Sequence, residues 1–169
     1  ELRKLRLLNG AHTLMAYAGQ VAGVERVDEA IALPEVRALV EELWAEARST
    51  LALPEAELDA YTAALEERFR NPRLADFLVR IAADGTAKLP VRALPVIAER
   101  GGPDQAPGEV AALAAWTAWV TDRVRGGHEV QDPKSSEIAS AAGIGEATER
   151  VTALLALLDV PAGDPLVEA

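Results

Sequence analysis

Apolar residues recur at spacings of three and four along almost the whole chain, and strict alternation is nearly absent, which is the signature of amphipathic helices. Val36, Leu39, Val40, Leu43 and Trp44 follow the helical template, as do Leu58, Tyr61, Leu65 and Phe69. The same spacing returns at Leu74, Phe77, Leu78 and Ile81, at Val110, Leu113, Val120 and Val124, and at Val151, Leu154, Leu155 and Leu158. Pro34 and Pro54 each stand before a Glu, as a first helical turn allows, with the acid at the positive end of the helix dipole. Asn71-Pro72 and Asp132-Pro133 pair a cap with a first-turn proline. Gly85 and Gly126-Gly127 read as helix stops. Pro90 and Pro95 exclude one unbroken helix and predict a short turn followed by a helix.

The pattern predicts an all-α domain of roughly seven to nine helices over residues 1–169, with a loop break near 101–108 in "RGGPDQAPGE" separating two helical layers. The closing "DVPAGDPLVEA" reads as a frayed end.

Composition narrows the function. The chain has 169 residues, half of them hydrophobic and only 4% aromatic, which suits packed helices better than sheets. A net charge of -10 argues against nucleic acid or an anionic membrane as partner. There are no cysteines, so neither a disulfide framework nor a thiolate metal site is available. No apolar run reaches the length of a membrane span, and no signal-peptide pattern opens the chain; a cytoplasmic location is expected. His12 and His128 are the only histidines, and no metal is expected. His128 reads as an exposed loop residue. Glu66, Glu67 and Arg68 read as a solvated face, Trp116 and Trp119 as core, and "EELWAEA" as an amphipathic stretch burying Trp44.

The opening segment is different. "LRKLRLLNGAHTLMAYAG", residues 2–19, is apolar nearly all round yet carries Lys4, Asn9 and His12. Asn9 and His12 are three apart and neighbours on one helical face. Lys4 is about 12 Å from His12 along a regular α-helix, and the three side chains span an arc of roughly 140°. They converge only if the chain near Lys4 departs from regular α-helix or if a ligand bridges them. Two readings compete. One is a structural Asn–His hydrogen bond with Lys4 reaching solvent. The other is a site for a polyhydroxylated ligand, with Lys as general base, Asn as donor to a developing oxyanion and His orienting a hydroxyl.

"KLRLLNGAHT" resembles the signature of the mannitol dehydrogenase family, the polyol-specific long-chain dehydrogenases: a Lys, an Asn five residues on and a His three further. Lys4, Asn9 and His12 match it residue by residue. "ERFRNPRLADFLVRIAADGTAKLPVRALP", residues 67–95, resembles the family's second block, an NP-initiated helix followed by a DG-x-x-K-(L/I)-P turn. The resemblance runs from Glu1 to about Gly101 and is much weaker beyond.

It implies an NAD(P)-dependent enzyme interconverting a secondary alcohol and a ketone on open-chain sugars, sugar alcohols or sugar acids. Such enzymes hold substrate between an N-terminal Rossmann domain and an α-helical C-terminal domain. By that resemblance Lys4 is the general base, Asn9 stabilises the alkoxide-like oxygen, His12 binds an adjacent hydroxyl, and Arg80 and Lys88 lie near the far end of the substrate. Arg92 is a lesser candidate there and is expected at the surface. Asp84 is expected to cap or precede a turn. "GIGEAT", residues 143–148, lacks the third glycine and the preceding strand of a dinucleotide loop and reads as an inter-helix turn. The chain therefore reads as a C-terminal domain cut from a longer enzyme, inactive alone, with NAD or NADP bound mainly by an N-terminal domain outside it. A polyol/ketose pair of the mannitol and fructose type is the default substrate; a hexonate/hexuronate pair is the alternative. A non-catalytic helical interaction module is the competing class.

Overall fold

The computed structural model describes residues 1–74 and 76–169. A π-helical segment, Lys4–Asn9, runs directly into α1 (Gly10–Val21). Then follow α2 (Val27–Ala32), α3 (Pro34–Ser49), α4 (Glu55–Phe69), α5 (Leu78–Ile81), α6 (Gly85–Arg92), α7 (Leu94–Arg100), α8 (Pro107–Arg125), α9 (Ser135–Ala142) and α10 (Ala147–Ala156). Short 3-10 turns lie at Pro72–Leu74, Pro103–Gln105 and Pro165–Val167. The described residues form no strand, only an isolated bridge between Arg26 and Phe77. The domain is all-α.

Two buried clusters make up the core. One gathers Leu7, Leu14, Met15, Val40, Leu43, Trp44, Phe69 and Leu78; the other gathers Tyr17, Leu89, Trp116, Trp119, Val120, Ile138 and Leu154. Helix α1 contributes to both, and Ala11, Leu14, Met15, Ala16 and Tyr17 have no solvent exposure. That explains an opening stretch that is apolar all round: a helix buried on every side has no polar face to keep. Helix α8 packs on α1 and α3. Its Gly108 permits a close crossing, since a Cβ there would lie 2.5 Å from the main-chain nitrogen of Leu43.

Several expectations change. Gly85 opens α6 instead of stopping a helix; a side chain there would collide with the Trp116 indole and the Tyr17 hydroxyl, at 2.6 and 2.7 Å. Asp84 adopts a left-handed conformation, φ 60°, without a side-chain cap bond. The cap comes from Asp132, whose carboxylate accepts from the Thr86 main-chain N–H at 2.9 Å and the Thr86 hydroxyl at 2.5 Å. So anchored, α6 continues through Pro90, and the break falls at Ala93.

Asn71-Pro72 starts only a 3-10 turn. Leu74 and Phe77 are exposed, because the chain from 76 to 78 instead bonds to the stretch before α2: Val27 N–H to the Asp76 carbonyl at 3.1 Å and Leu78 N–H to the Glu25 carbonyl at 2.9 Å. Ala75, inside the same block, lies outside the described residues. Within "EELWAEA" Trp44 is buried as expected, but so is Glu46, which accepts from the Gly108 and Glu109 N–H groups at 2.7 and 2.9 Å and so caps α8. The tail is not frayed: Val160 is buried and Leu166 and Val167 pack on the second cluster.

Candidate functional site

The departure from regular helix lies where the polar residues are. In an α-helix residues five apart diverge by about 140°. In a π-helix the hydrogen bonds run between residues five apart, and here the Gly10 N–H reaches the Leu5 carbonyl. That register places Lys4 and Asn9 one above the other, as residues four apart are placed in an α-helix. His12, three residues into the regular helix, continues the same face. The chain near Lys4 thus departs from regular α-helix.

Long-range contacts hold the widened turn. The Trp44 indole N–H donates to the Leu7 carbonyl at 2.9 Å. The Arg6 guanidinium, only 4% exposed, grips Glu99 with both arms and donates to the Thr50 carbonyl at 3.2 Å. The Asn9 carbonyl accepts from the Thr13 hydroxyl at 2.8 Å and from Arg92 Nη1 at 3.3 Å. π-Turns inside α-helices are rare and concentrate at functional sites.

The side chains sit in different environments. Lys4 is exposed, Asn9 half-buried. His12 is also half-buried, with its ring centroid 4.9 Å from that of Phe69. Its Nε2 is shielded from solvent without a hydrogen-bond partner. Burial lowers its pKa to about 4; Asp76 opposes the shift, while Arg68 and Arg92 add to it. At neutral pH His12 is therefore an uncharged imidazole with an unsatisfied ring nitrogen, an arrangement suited to a hydroxyl.

Helix α6 runs antiparallel to α1, with Gly85 against Tyr17 and Arg92 against Asn9 and Thr13. The Lys88 ammonium donates to the Ile81 carbonyl at 3.0 Å, and burial, with Arg92 nearby, holds its pKa below the ordinary lysine value. Arg80 lies on α5 beside Ile81, is exposed, and forms no ion pair among the described residues. By helical register Lys4, Asn9 and His12 share one face; Lys88 bonds the Ile81 carbonyl, and Arg80 is the exposed residue before Ile81.

Arg6 and Thr13 have no role in the sequence reading, and Arg92 enters it only as a lesser candidate for the distal end of the substrate, expected at the surface. Arg92 is half-buried, not a surface arginine. Its contact with Asn9 has no local signal, because it spans 83 residues. Arg6 had one: an arginine inside an apolar-all-round helix needs a buried partner.

No group of three or more His, Asp or Glu residues is arranged to hold a metal among the described residues. A dinucleotide needs a strand followed by a glycine-rich turn into a helix; no strand is present among the described residues, and the described residues do not fit that group. No helix of the described chain is long and apolar enough to cross a membrane.

Comparison with known proteins identifies the fold and the family. The chain is 38% identical over 152 residues to a mannitol 2-dehydrogenase of Pyricularia oryzae, covering 86% of this chain and 30% of that protein. It is 34% identical over 171 residues to the D-mannonate oxidoreductase of Escherichia coli, covering 97% of this chain and 35% of that protein. The fold matches Pseudomonas fluorescens mannitol 2-dehydrogenase, solved as a ternary complex with NAD and D-mannitol, with a TM-score of 0.77 at 23% identity over 91% of this chain and 32% of that one. It also matches a D-sorbitol dehydrogenase, solved in substrate-free form, with a TM-score of 0.77 at 20% identity over 99% of this chain and 36% of that one. This chain spans about a third of the length of these relatives. Residues 1–169 match the mannitol dehydrogenase C-terminal domain along their whole length, and the chain belongs to that family.

Proposed function

We propose that this chain is the substrate-binding and catalytic-base domain of an NAD(P)-dependent oxidoreductase that interconverts a sugar alcohol and a ketose. The supporting observation is the π-helical register, which aligns Lys4 with Asn9 and leads into His12 on the same face. The nicotinamide cofactor supplies the hydride acceptor, held by a dinucleotide-binding domain outside these residues.

In this reading Lys4 takes the proton from the reacting hydroxyl, which makes hydride loss from the carbinol carbon feasible. The Asn9 amide donates to the oxygen as it gains alkoxide character. His12, neutral, engages the adjacent hydroxyl through Nε2. Arg80 and Lys88 hold the distal end of the substrate. The desolvation that a lysine base requires comes from the partner domain, since Lys4 is exposed on this one. Proton removal by Lys4 needs no metal in this scheme.

A second reading keeps the chemistry and changes the substrate to a hexonate/hexuronate pair. The unpaired guanidinium of Arg80 favours it, because a terminal carboxylate is its natural bidentate partner, and one relative is a D-mannonate oxidoreductase.

The test uses the full-length protein that carries this chain. NAD(P)H oxidation is followed with fructose, fructuronate and tagaturonate for wild type and Lys4→Ala. Loss of roughly 10²–10⁴-fold in kcat with cofactor binding intact is expected, and the preferred substrate separates the two readings. Equal rates in both proteins would refute the assignment of Lys4.

A further inference from the structure

Arg92 is a cation whose contacts none of the roles above uses. Its Nη1 donates to the Thr13 hydroxyl at 2.7 Å and to the Asn9 carbonyl at 3.3 Å. The Thr13 hydroxyl in turn donates to the same Asn9 carbonyl at 2.8 Å. Its Nε is buried without a hydrogen-bond partner, and it forms no ion pair with a carboxylate among the described residues. A half-buried guanidinium held only by a hydroxyl and a carbonyl is costly in a chain of charge -10, where carboxylate partners are plentiful. What it grips is the last residue of the π-helical segment.

We infer that Arg92 is a positioning residue of the reaction site: through Thr13 and the Asn9 carbonyl it fixes the junction between the π-turn and α1, and so aims the Asn9 amide and sets the charge around His12. The inference rests on the functional reading of Lys4, Asn9 and His12 given above. Arg92 touches the site from behind, through the main chain. Three charged groups bear on the His12 ring from the elements packed around it: Arg68 from α4, Asp76 from the stretch before α5 and Arg92 from α6. Both arginines disfavour imidazolium and Asp76 favours it. Removing the Arg92 charge therefore raises the His12 pKa, while a merely structural clamp predicts no such movement.

The experiment uses the full-length enzyme with Arg92→Met, Arg92→Lys and Thr13→Val. Steady-state kinetics over pH are paired with an NMR titration of His12, assigned by difference from His12→Gln. For Arg92→Met we expect kcat to fall at least tenfold with KM changed less than threefold, because Asn9 acts on the transition state. The His12 titration should move towards its ordinary value. Arg92→Lys should recover the titration, since the charge is restored, but only part of kcat, since the fork is not. Thr13→Val should lower kcat without moving the titration, and should not add to Arg92→Met. If Arg92→Met does not fold, the lysine and valine variants decide by the same criteria. Unchanged kcat and an unmoved titration in folded variants would overturn the inference. Full activity of Lys4→Ala would instead refute the underlying reading, and the titration result would still stand or fall by itself.

Discussion

Arg6 and Glu99, 93 residues apart, meet in a two-pronged ion pair, Nη1 to Oε2 at 2.7 Å and Nη2 to Oε1 at 2.5 Å. The arginine is buried inside the π-helical segment, whereas the carboxylate is half exposed on α7. The pair ties the widened turn to the helix that follows α6, so it bears on the alignment of Lys4 and Asn9.

Removing the two partners should have unequal effects. Glu99→Ala strands a buried guanidinium, while Arg6→Met replaces it with an apolar side chain and leaves an exposed carboxylate. Thermal unfolding is expected to show a Tm loss of several degrees for Glu99→Ala and a smaller one for Arg6→Met. The reverse order would show that the pair is a solvated contact.

His12 makes stability depend on pH in the acid range. Its folded pKa of about 4 lies below the ordinary 6.5, so between those values the unfolded chain binds the extra proton. Stability contributed by the neutral ring is fully present above about pH 6.5 and is lost as pH falls towards 4. The full difference is roughly 3 kcal/mol at about 1.4 kcal/mol per pKa unit. Urea unfolding at pH 7 and pH 4.5 should show a steeper loss for wild type than for His12→Gln. Parallel losses would remove His12 as the cause.

Glu109 has the opposite sign. It is 1% exposed, neither carboxylate oxygen has a partner, and burial, reinforced by Glu46, pushes its pKa well above the ordinary value while Arg6 pulls it back. Holding it protonated in the folded state costs stability increasingly as pH rises above about 4.5, by at most about 1.4 kcal/mol per pH unit. Glu109→Gln should therefore be more stable than wild type at pH 8, with the advantage shrinking towards pH 4.5. A constant difference across that range would mean that Glu109 does not titrate differently in the folded protein.

Gly108 tests the crossing of α3 and α8. A methyl group there meets the Leu43 nitrogen at 2.5 Å and the Leu43 Cα at 2.9 Å, and a backbone cannot turn aside as a side chain can. Gly108→Ala should cost about 1–3 kcal/mol through overpacking and loosen the Glu46 cap on the α8 N–H groups. Unfolding at an unchanged denaturant midpoint would show that the helices separate at no cost.

Much of the fold was legible. Long periodic stretches such as Val36–Trp44 and Val110–Val124 became α3 and α8, because burying one face of a helix fixes the apolar spacing in the chain itself. Trp116 and Trp119 were readable as core for the same reason. The stretch 74–81 misled in part: 78–81 form α5, but main-chain bonds to residues 25 and 27 accompany an extended Phe77 where the helical spacing would continue. Gly85 misled likewise, because the demand for glycine comes from Tyr17 and Trp116, far away in sequence.

By itself, then, the sequence determined the all-α class, the core helices and the spacing of Lys4, Asn9 and His12, since these depend on local periodicity and residue type. Tertiary structure alone decided that Lys4–Asn9 adopts a π-turn. Its widened hydrogen bonds are matched by the Trp44 indole, the Arg6–Glu99 pair and Arg92, donors and partners 37 to 93 residues away. The sequence spacing does not show that turn, because the Leu7 and Asn9 carbonyls receive their donors from Trp44 and Arg92, far away in sequence.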